Sequence, residues 1–173
     1  MSTNQILTPH FTLQEMTESQ TAKEHGIANV PPPEVVENLQ RLCTHTLEPL
    51  REKLGLPIII TSGYRTKELN DIIVHASRRS QHLVGCAADF YVSGHTDSTD
   101  NTDISGLSAR ERLVKAFSLI IEDESIDFDQ LIIYPTFIHV SYVSRERNRH
   151  QITKANGNGT YCALSRAQAL ALS

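Results

Sequence analysis

The chain has 173 residues, 39% hydrophobic and 21% charged, with 16 Lys plus Arg against 20 Asp plus Glu. That length suits one globular domain over residues 1–173, large enough to fold without a metal or disulfide staple, so a bound metal would serve function. A formal charge of −4, no Trp and 6% aromatic residues argue against a nucleic-acid binder, which needs a basic surface and stacking platforms.

In chain order, Thr12 with Glu15 three residues later forms a capping-box pattern for a short helix between His10 and Gly26. Pro31-Pro32-Pro33 forces an extended linker. From Glu34 to Leu54 apolar residues recur at helical spacing and Gly55 ends the pattern, while Pro49 inside it predicts a kink or a shortening. Pro57 to Thr61 reads as a strand, Lys67 to Val74 as a short helix, and Cys86 to Val92 as a second strand. Ser93 to Ser105 is nearly all polar and reads as a loop. Ser108 to Glu122 is a helix with Leu113, Val114, Phe117, Ile120 and Ile121 on one stripe. Gln130 to Tyr134 and Phe137 to Tyr142, joined by a Pro135 turn, read as a hairpin, with a further strand at Gln151-Ile152. Helices first and clustered strands later predict an α+β fold built on a small antiparallel sheet, its helices packed on one side.

Cys43, Cys86 and Cys162 form no CxxC and no disulfide framework. The N-terminal segment lacks a signal-peptide pattern and no apolar run reaches membrane-spanning length, so a chain made in the cytoplasm is expected. Eight histidines are the one rich entry in the composition. The stretch Ser80 to Asp89 carries His82 in a loop and Asp89 in an apolar strand, where a lone carboxylate is costly unless paired or bound to a cation. His139 lies in the later hairpin strand. Two His and one Asp make a three-ligand set of the catalytic zinc type. A core His and a salt-bridged Asp would explain the same pieces separately, and spacing alone leaves both readings open. Cys86 between them also leaves a Cys–His hydrolase open, although a small buried strand residue explains it better.

The order S-x-H-x-x-G-x-A-x-D over Ser80 to Asp89, followed by Phe137-Ile138-His139-Val140-Ser141, resembles the zinc D-alanyl-D-alanine carboxypeptidase family. Ser62-Gly63-Tyr64-Arg65 resembles that family's element after a strand. His10 to Met16 and Phe128 to Ile132 resemble its small phage and prophage branch. The likeness runs over residues 10–149, leaving 150–173 as a C-terminal extension. It implies the hedgehog/D-Ala-D-Ala-peptidase-like fold with a zinc site, and His82, Asp89 and His139 as zinc ligands. It further implies Arg65 as partner of a substrate carboxylate or oxyanion, and Ser80 as a second substrate contact or a loop-shaping residue. The implied activity is a zinc metallopeptidase on peptidoglycan stem peptides, a D-Ala-D-Ala carboxypeptidase or an L-Ala-D-Glu-type endopeptidase, with zinc-bound water attacking the carbonyl. Such a protein would act at the cell wall after phage-type release.

One departure stands out. Active relatives keep a general-base carboxylate three residues before the second His or at the end of the preceding strand, and this chain has Thr136 and Tyr134 there. Asp129, Asp97 and His75 are the candidate substitutes. General-base help is worth about 10²–10⁴-fold, so its loss would weaken turnover without removing the metal. The alternative function is therefore a catalytically weak, zinc-binding phage module that holds cell-wall peptide.

Overall fold

In the computed structural model, which describes residues 5–94 and 106–172, a short hairpin of β1 (Ile6–Thr8) and β2 (Phe11–Thr12) leads into helix α1 (Leu13–Thr17). The Thr12 hydroxyl accepts from the Glu15 N–H, and the Glu15 carboxylate accepts from the Thr12 N–H at 2.8 Å. The capping box is therefore closed, but the segment to Gly26 holds two helices, the second being α2 (Gln20–His25).

Pro49 does not break the long amphipathic pattern. Helix α3 (Pro33–Leu42) passes through a π turn at Cys43–Leu47 into α4 (Glu48–Leu54), which Gly55 closes in the left-handed region at φ 63°. Proline leaves the carbonyl four residues earlier without an intrahelical donor. Here that carbonyl is His45 O, and the Asp127 N–H takes it at 3.0 Å. A widened turn and an outside donor thus keep the helix running.

The main sheet holds β3 (Ile58–Ser62), β4 (Ala87–Val92), β5 (Gln130–Ile133), β6 (Ile138–Ser141), β7 (Gln151–Ala155) and β8 (Tyr161–Ala163) in the order β3-β4-β6-β5-β7-β8. Helices α5 (Lys67–Ile72), α6 (Ala109–Glu122) and α7 (Arg166–Leu170) complete the described elements. The expected antiparallel sheet needs one correction, because β5 and β7 pair in parallel, Gln130 beside Gln151 and Ile133 beside Lys154. The cause is a tie across the start of β5: Asp129 Oδ1 accepts from Arg149 N–H and Nε–H, each at 2.9 Å, and Asp129 O accepts from Gln151 N–H at 2.9 Å. The chain leaving β6 is thereby brought back to where β5 begins, so β7 runs the same way.

Residues opposite each other on paired strands point to the same face. One face turns Phe90, Val92, Leu131, Ile133, Ile138 and Val140 into the core, where Leu113, Ala116, Phe117 and Ile120 of α6 meet them. Burying each large side chain of this set stabilises the fold by about 1.5–3 kcal/mol, which makes this face the rigid backing of the sheet. The other face carries Ser62, Asp89, His139 and Ile132, which follow one another across β3, β4, β6 and β5. Residues 95–105, with His95 and Asp97, lie outside the described residues. Among the described residues no helix is long and apolar enough to cross a membrane.

Candidate metal centre

His82 stands in a 3-10 turn, Gln81–Val84, that Ser80 opens and Gly85 closes. The Ser80 hydroxyl accepts from the His82 N–H at 3.4 Å, so the structure uses Ser80 to shape the turn. Gly85 has φ 71°, and a Cβ there would come 2.8 Å from Val35 O, so glycine meets both the turn geometry and the close approach of α3. His82 is 2% exposed, and its Nδ1 donates to Gly63 O at 2.6 Å. A carbonyl only accepts, so Nδ1 carries the hydrogen and the Nε2 lone pair faces outward from the turn.

Asp89 and His139 are direct cross-strand partners on β4 and β6. Three atoms converge there: His82 Nε2 lies 3.3 Å from His139 Nδ1 and 3.4 Å from Asp89 Oδ1, and His139 Nδ1 lies 2.8 Å from Asp89 Oδ1. A tetrahedral ion with 2.0–2.2 Å bonds separates its ligand atoms by about 3.3–3.6 Å. Two of the three separations fall in that range, and the third is a hydrogen bond. Two imidazole nitrogens and one carboxylate oxygen are the donor set that zinc takes in open catalytic sites, so these residues fit the ion. Among the described residues the cluster holds these three side chains and no second carboxylate.

Behind the cluster, Arg65 Nη2 donates to Asp89 Oδ2 at 3.0 Å and Nε donates to Ser62 Oγ at 2.9 Å. Arg65 Nη1 has no hydrogen-bond partner among the described residues. The Arg65 N–H also donates to His82 O at 3.1 Å, so cation and ligand turn are joined through backbone. Asn29 holds this segment from outside. Its Nδ2 donates to Thr17 O and Tyr64 O, and its Oδ1 accepts from the Thr66 N–H, each at 2.8 Å. Nothing in the sequence marks Asn29 for this task, and Gly63 is legible only as part of the Ser62 to Arg65 element.

Burial would raise the Asp89 carboxyl, but the neighbouring imidazoles of His82 and His139 outweigh it and hold Asp89 well below the usual carboxylate range. Burial pushes His82 below the ordinary imidazole value, against the pull of Asp89. At neutral pH the cluster therefore offers an anion and a neutral His82, the protonation states that a metal needs.

Gly63 is the tightest point of the support. A Cβ there would lie 2.2 Å from Met16 O, while the Tyr64 N–H donates to that same oxygen at 2.7 Å. Gly63→Ala must push α1 away from the loop that holds His82. Overpacking of this kind costs about 1–3 kcal/mol, and zinc affinity falls with it because Gly63 O moves. Urea denaturation and a zinc titration check this together; a variant equal to wild type in both would refute the role given to Gly63.

The candidate substitutes for the base lie elsewhere. Asp129 is 1% exposed, and its oxygens are taken by Arg149 and by Gln81 Nε2, which donates to Oδ2 at 2.9 Å. That commitment makes Asp129 a structural anchor, and the catalytic role considered for it is set aside. His75 is exposed in the turn after α5, at φ 65°, and is not among the converging groups. Thr136 is exposed at the tip of the β5–β6 turn. Burial pushes the Cys86 thiol up, which disfavours the thiolate a Cys–His hydrolase would need.

Fold and site together define an α+β protein whose sheet brings together a His–Asp–His cluster that could hold a metal ion. The sequence profile described as Peptidase M15 matches residues 9–113, more than half of the chain, and the chain belongs to that family, the zinc D-Ala-D-Ala carboxypeptidase type its motifs resemble. The matched residues include Arg65, Ser80, His82 and Asp89, whereas Asp129, Tyr134 and His139 lie beyond them. His139 joins the set through its strand motif and its position opposite Asp89. The comparison with curated proteins finds no match.

Proposed function

We propose that the protein is a zinc peptidase acting on peptidoglycan stem peptides, cutting a D-Ala-D-Ala or an L-Ala-D-Glu bond. The observation that carries this reading is the convergence of His82 Nε2, Asp89 Oδ1 and His139 Nδ1 on one sheet face of a Peptidase M15 chain. Zinc held there would lower the pKa of bound water to about 7 and polarise the scissile carbonyl. The chain's own part is to keep His82 neutral by burial, to keep Asp89 ionised, and to fix both against Gly63 O and Arg65. Arg65 Nη1 is the group that would take a substrate carboxylate or a developing oxyanion, since a planar guanidinium can bond two acceptors at once. Delivery to the wall by phage-type release belongs to the same reading.

A second reading is favoured by one observation: no carboxylate besides Asp89 joins the cluster among the described residues. It makes the protein a zinc fold that binds cell-wall peptide as a phage module with little or no turnover. Mass spectrometry of muropeptides after incubation with the zinc-loaded protein separates the two. Loss of a terminal D-Ala, or a cut after L-Ala, is the expected result; unaltered muropeptides with bound zinc would refute the peptidase reading and leave the binder.

A further inference from the structure

Tyr134 is one of the two positions, with Thr136, where the resemblance implies a carboxylate, and it follows β5 on the sheet face that carries His139. Ile132 lies opposite His139, and Tyr134 follows two residues later, so it returns to the same face about 7 Å further along the strand direction. Its ring stacks on Phe137 with centroids 4.1 Å apart and an interplanar angle of 11°. Arg110 Nη1 donates to Tyr134 O at 2.9 Å, which holds the backbone at that point.

The hydroxyl is held as well. Thr153 lies beside Ile132 across the parallel pair, Ala155 shares its face, and Tyr161 pairs with Ala155 on β8. Tyr161 therefore arrives on the metal face from a part of the chain beyond the motifs, and its hydroxyl lies 3.1 Å from that of Tyr134. The two rings meet edge to face with centroids 6.2 Å apart. Two phenols in a chain polarise one another, so one hydroxyl is held as acceptor while its own hydrogen points onward. The face of Tyr134 is that of Ile132 and His139, so the ring lies on the same side of the sheet as the cluster.

We propose that the Tyr134 hydroxyl, positioned by the Tyr161 hydroxyl, is a hydrogen-bond donor to the scissile carbonyl oxygen, acting beside Arg65. The inference rests on the peptidase reading and assigns a residue within it. The phenol keeps its proton throughout, and no bond to it forms or breaks; it stabilises negative charge growing on the carbonyl oxygen. Burial, the Tyr161 contact and the Asp89 charge all push the Tyr134 phenol up, so it remains a neutral donor and cannot act as the base. Tyr134 touches substrate and is catalytic in that sense, whereas Tyr161 acts through it and is a positioning residue.

Tyr134→Phe and Tyr161→Phe delete one oxygen each and leave rings and packing in place. Three quantities are measured on wild type and both variants. They are zinc content, kcat and KM on muropeptides, and calorimetric affinity for phosphinate analogues of D-Ala-D-Ala and L-Ala-D-Glu, which carry the tetrahedral oxyanion. Loss of one oxyanion donor costs about 10²–10³-fold in kcat. Tyr134→Phe is expected to lose about that factor in kcat and in phosphinate affinity, with zinc content, KM and affinity for the product dipeptide unchanged. Tyr161→Phe is expected to show the same kcat-against-KM split at about tenfold, consistent with one weakened hydrogen bond. A Tyr134→Phe protein with wild-type phosphinate affinity overturns the inference while leaving the peptidase reading intact. A wild type that holds zinc but neither binds phosphinate nor cuts muropeptide overturns the peptidase reading and the inference with it.

Discussion

Replacing His139 with alanine is expected to abolish stoichiometric zinc binding and, with it, turnover of muropeptides, while the fold survives. His139 is one of the three converging side chains that could hold the ion, and it lies on β6 with its neighbours Ile138 and Val140 turned into the core. Loss of a supporting group around a metal site costs about 10–100-fold in affinity, so loss of a ligand itself costs more. Asp89 keeps the Arg65 guanidinium as partner in the variant, which leaves no unpaired buried charge. His82→Ala is less clean, because it also orphans Gly63 O, a buried-acceptor loss of about 1–3 kcal/mol. Inductively coupled plasma analysis of zinc per chain, read beside circular dichroism, checks the prediction. A folded His139→Ala protein that retained one zinc per chain would remove His139 from the ligand set.

His82 and Asp89 were legible because a turn followed by an apolar strand puts them seven residues apart in one local unit, with the small residues Cys86, Ala87 and Ala88 between them. His139 was legible through its strand motif, and cross-strand pairing with Asp89 supplied what the motif could not. Backbone groups were not legible, since a carbonyl such as Gly63 O carries no residue type to read. Asn29 was hidden for a related reason: it bonds three backbone groups far from it in sequence, and any short loop contains such residues. The sequence reads β5 and β6 as a hairpin, as they are, but predicts an antiparallel sheet throughout, whereas the direction of β7 beside β5 is decided by Asp129, a side chain outside all three strands. Pro49 misled because its cost depends on whether something else satisfies His45 O, and Asp127 lies 82 residues further along than His45, counting 127 minus 45. Tyr161 reached the site by the same kind of long-range event. Its neighbours in sequence, Gly159 and Thr160, suggest only a turn.

Asp129→Ala is expected to destabilise the protein by about 2–4 kcal/mol at neutral pH. Asp129 is almost wholly buried and accepts from Arg149 N–H, Arg149 Nε–H and Gln81 Nε2–H, each at 2.9 Å. The exposed part of the Arg149 guanidinium rehydrates when the carboxylate is removed, but the Gln81 amide and the Arg149 N–H lose their acceptor. Burial alone would raise the Asp129 carboxyl; the hydrogen bonds from Arg149 and Gln81 outweigh it and bring it below its ordinary value. A carboxyl whose pKa is lower in the folded than in the unfolded chain adds stability above the unfolded value, about 3.9, and loses it as pH falls through the folded value. The gap between wild type and Asp129→Ala should therefore be full at pH 7 and shrink progressively below about pH 4. Urea denaturation at both pH values measures it, and a gap that stayed constant on acidification would show that packing, not charge, sustains the site. The consequence extends beyond stability. The same carboxylate brings β7 alongside β5 and so delivers β8 to the open face, which makes the Tyr134–Tyr161 contact dependent on a residue that never approaches the metal. Asp129→Ala should weaken turnover further than its stability loss accounts for, through Tyr161, in protein that still binds one zinc.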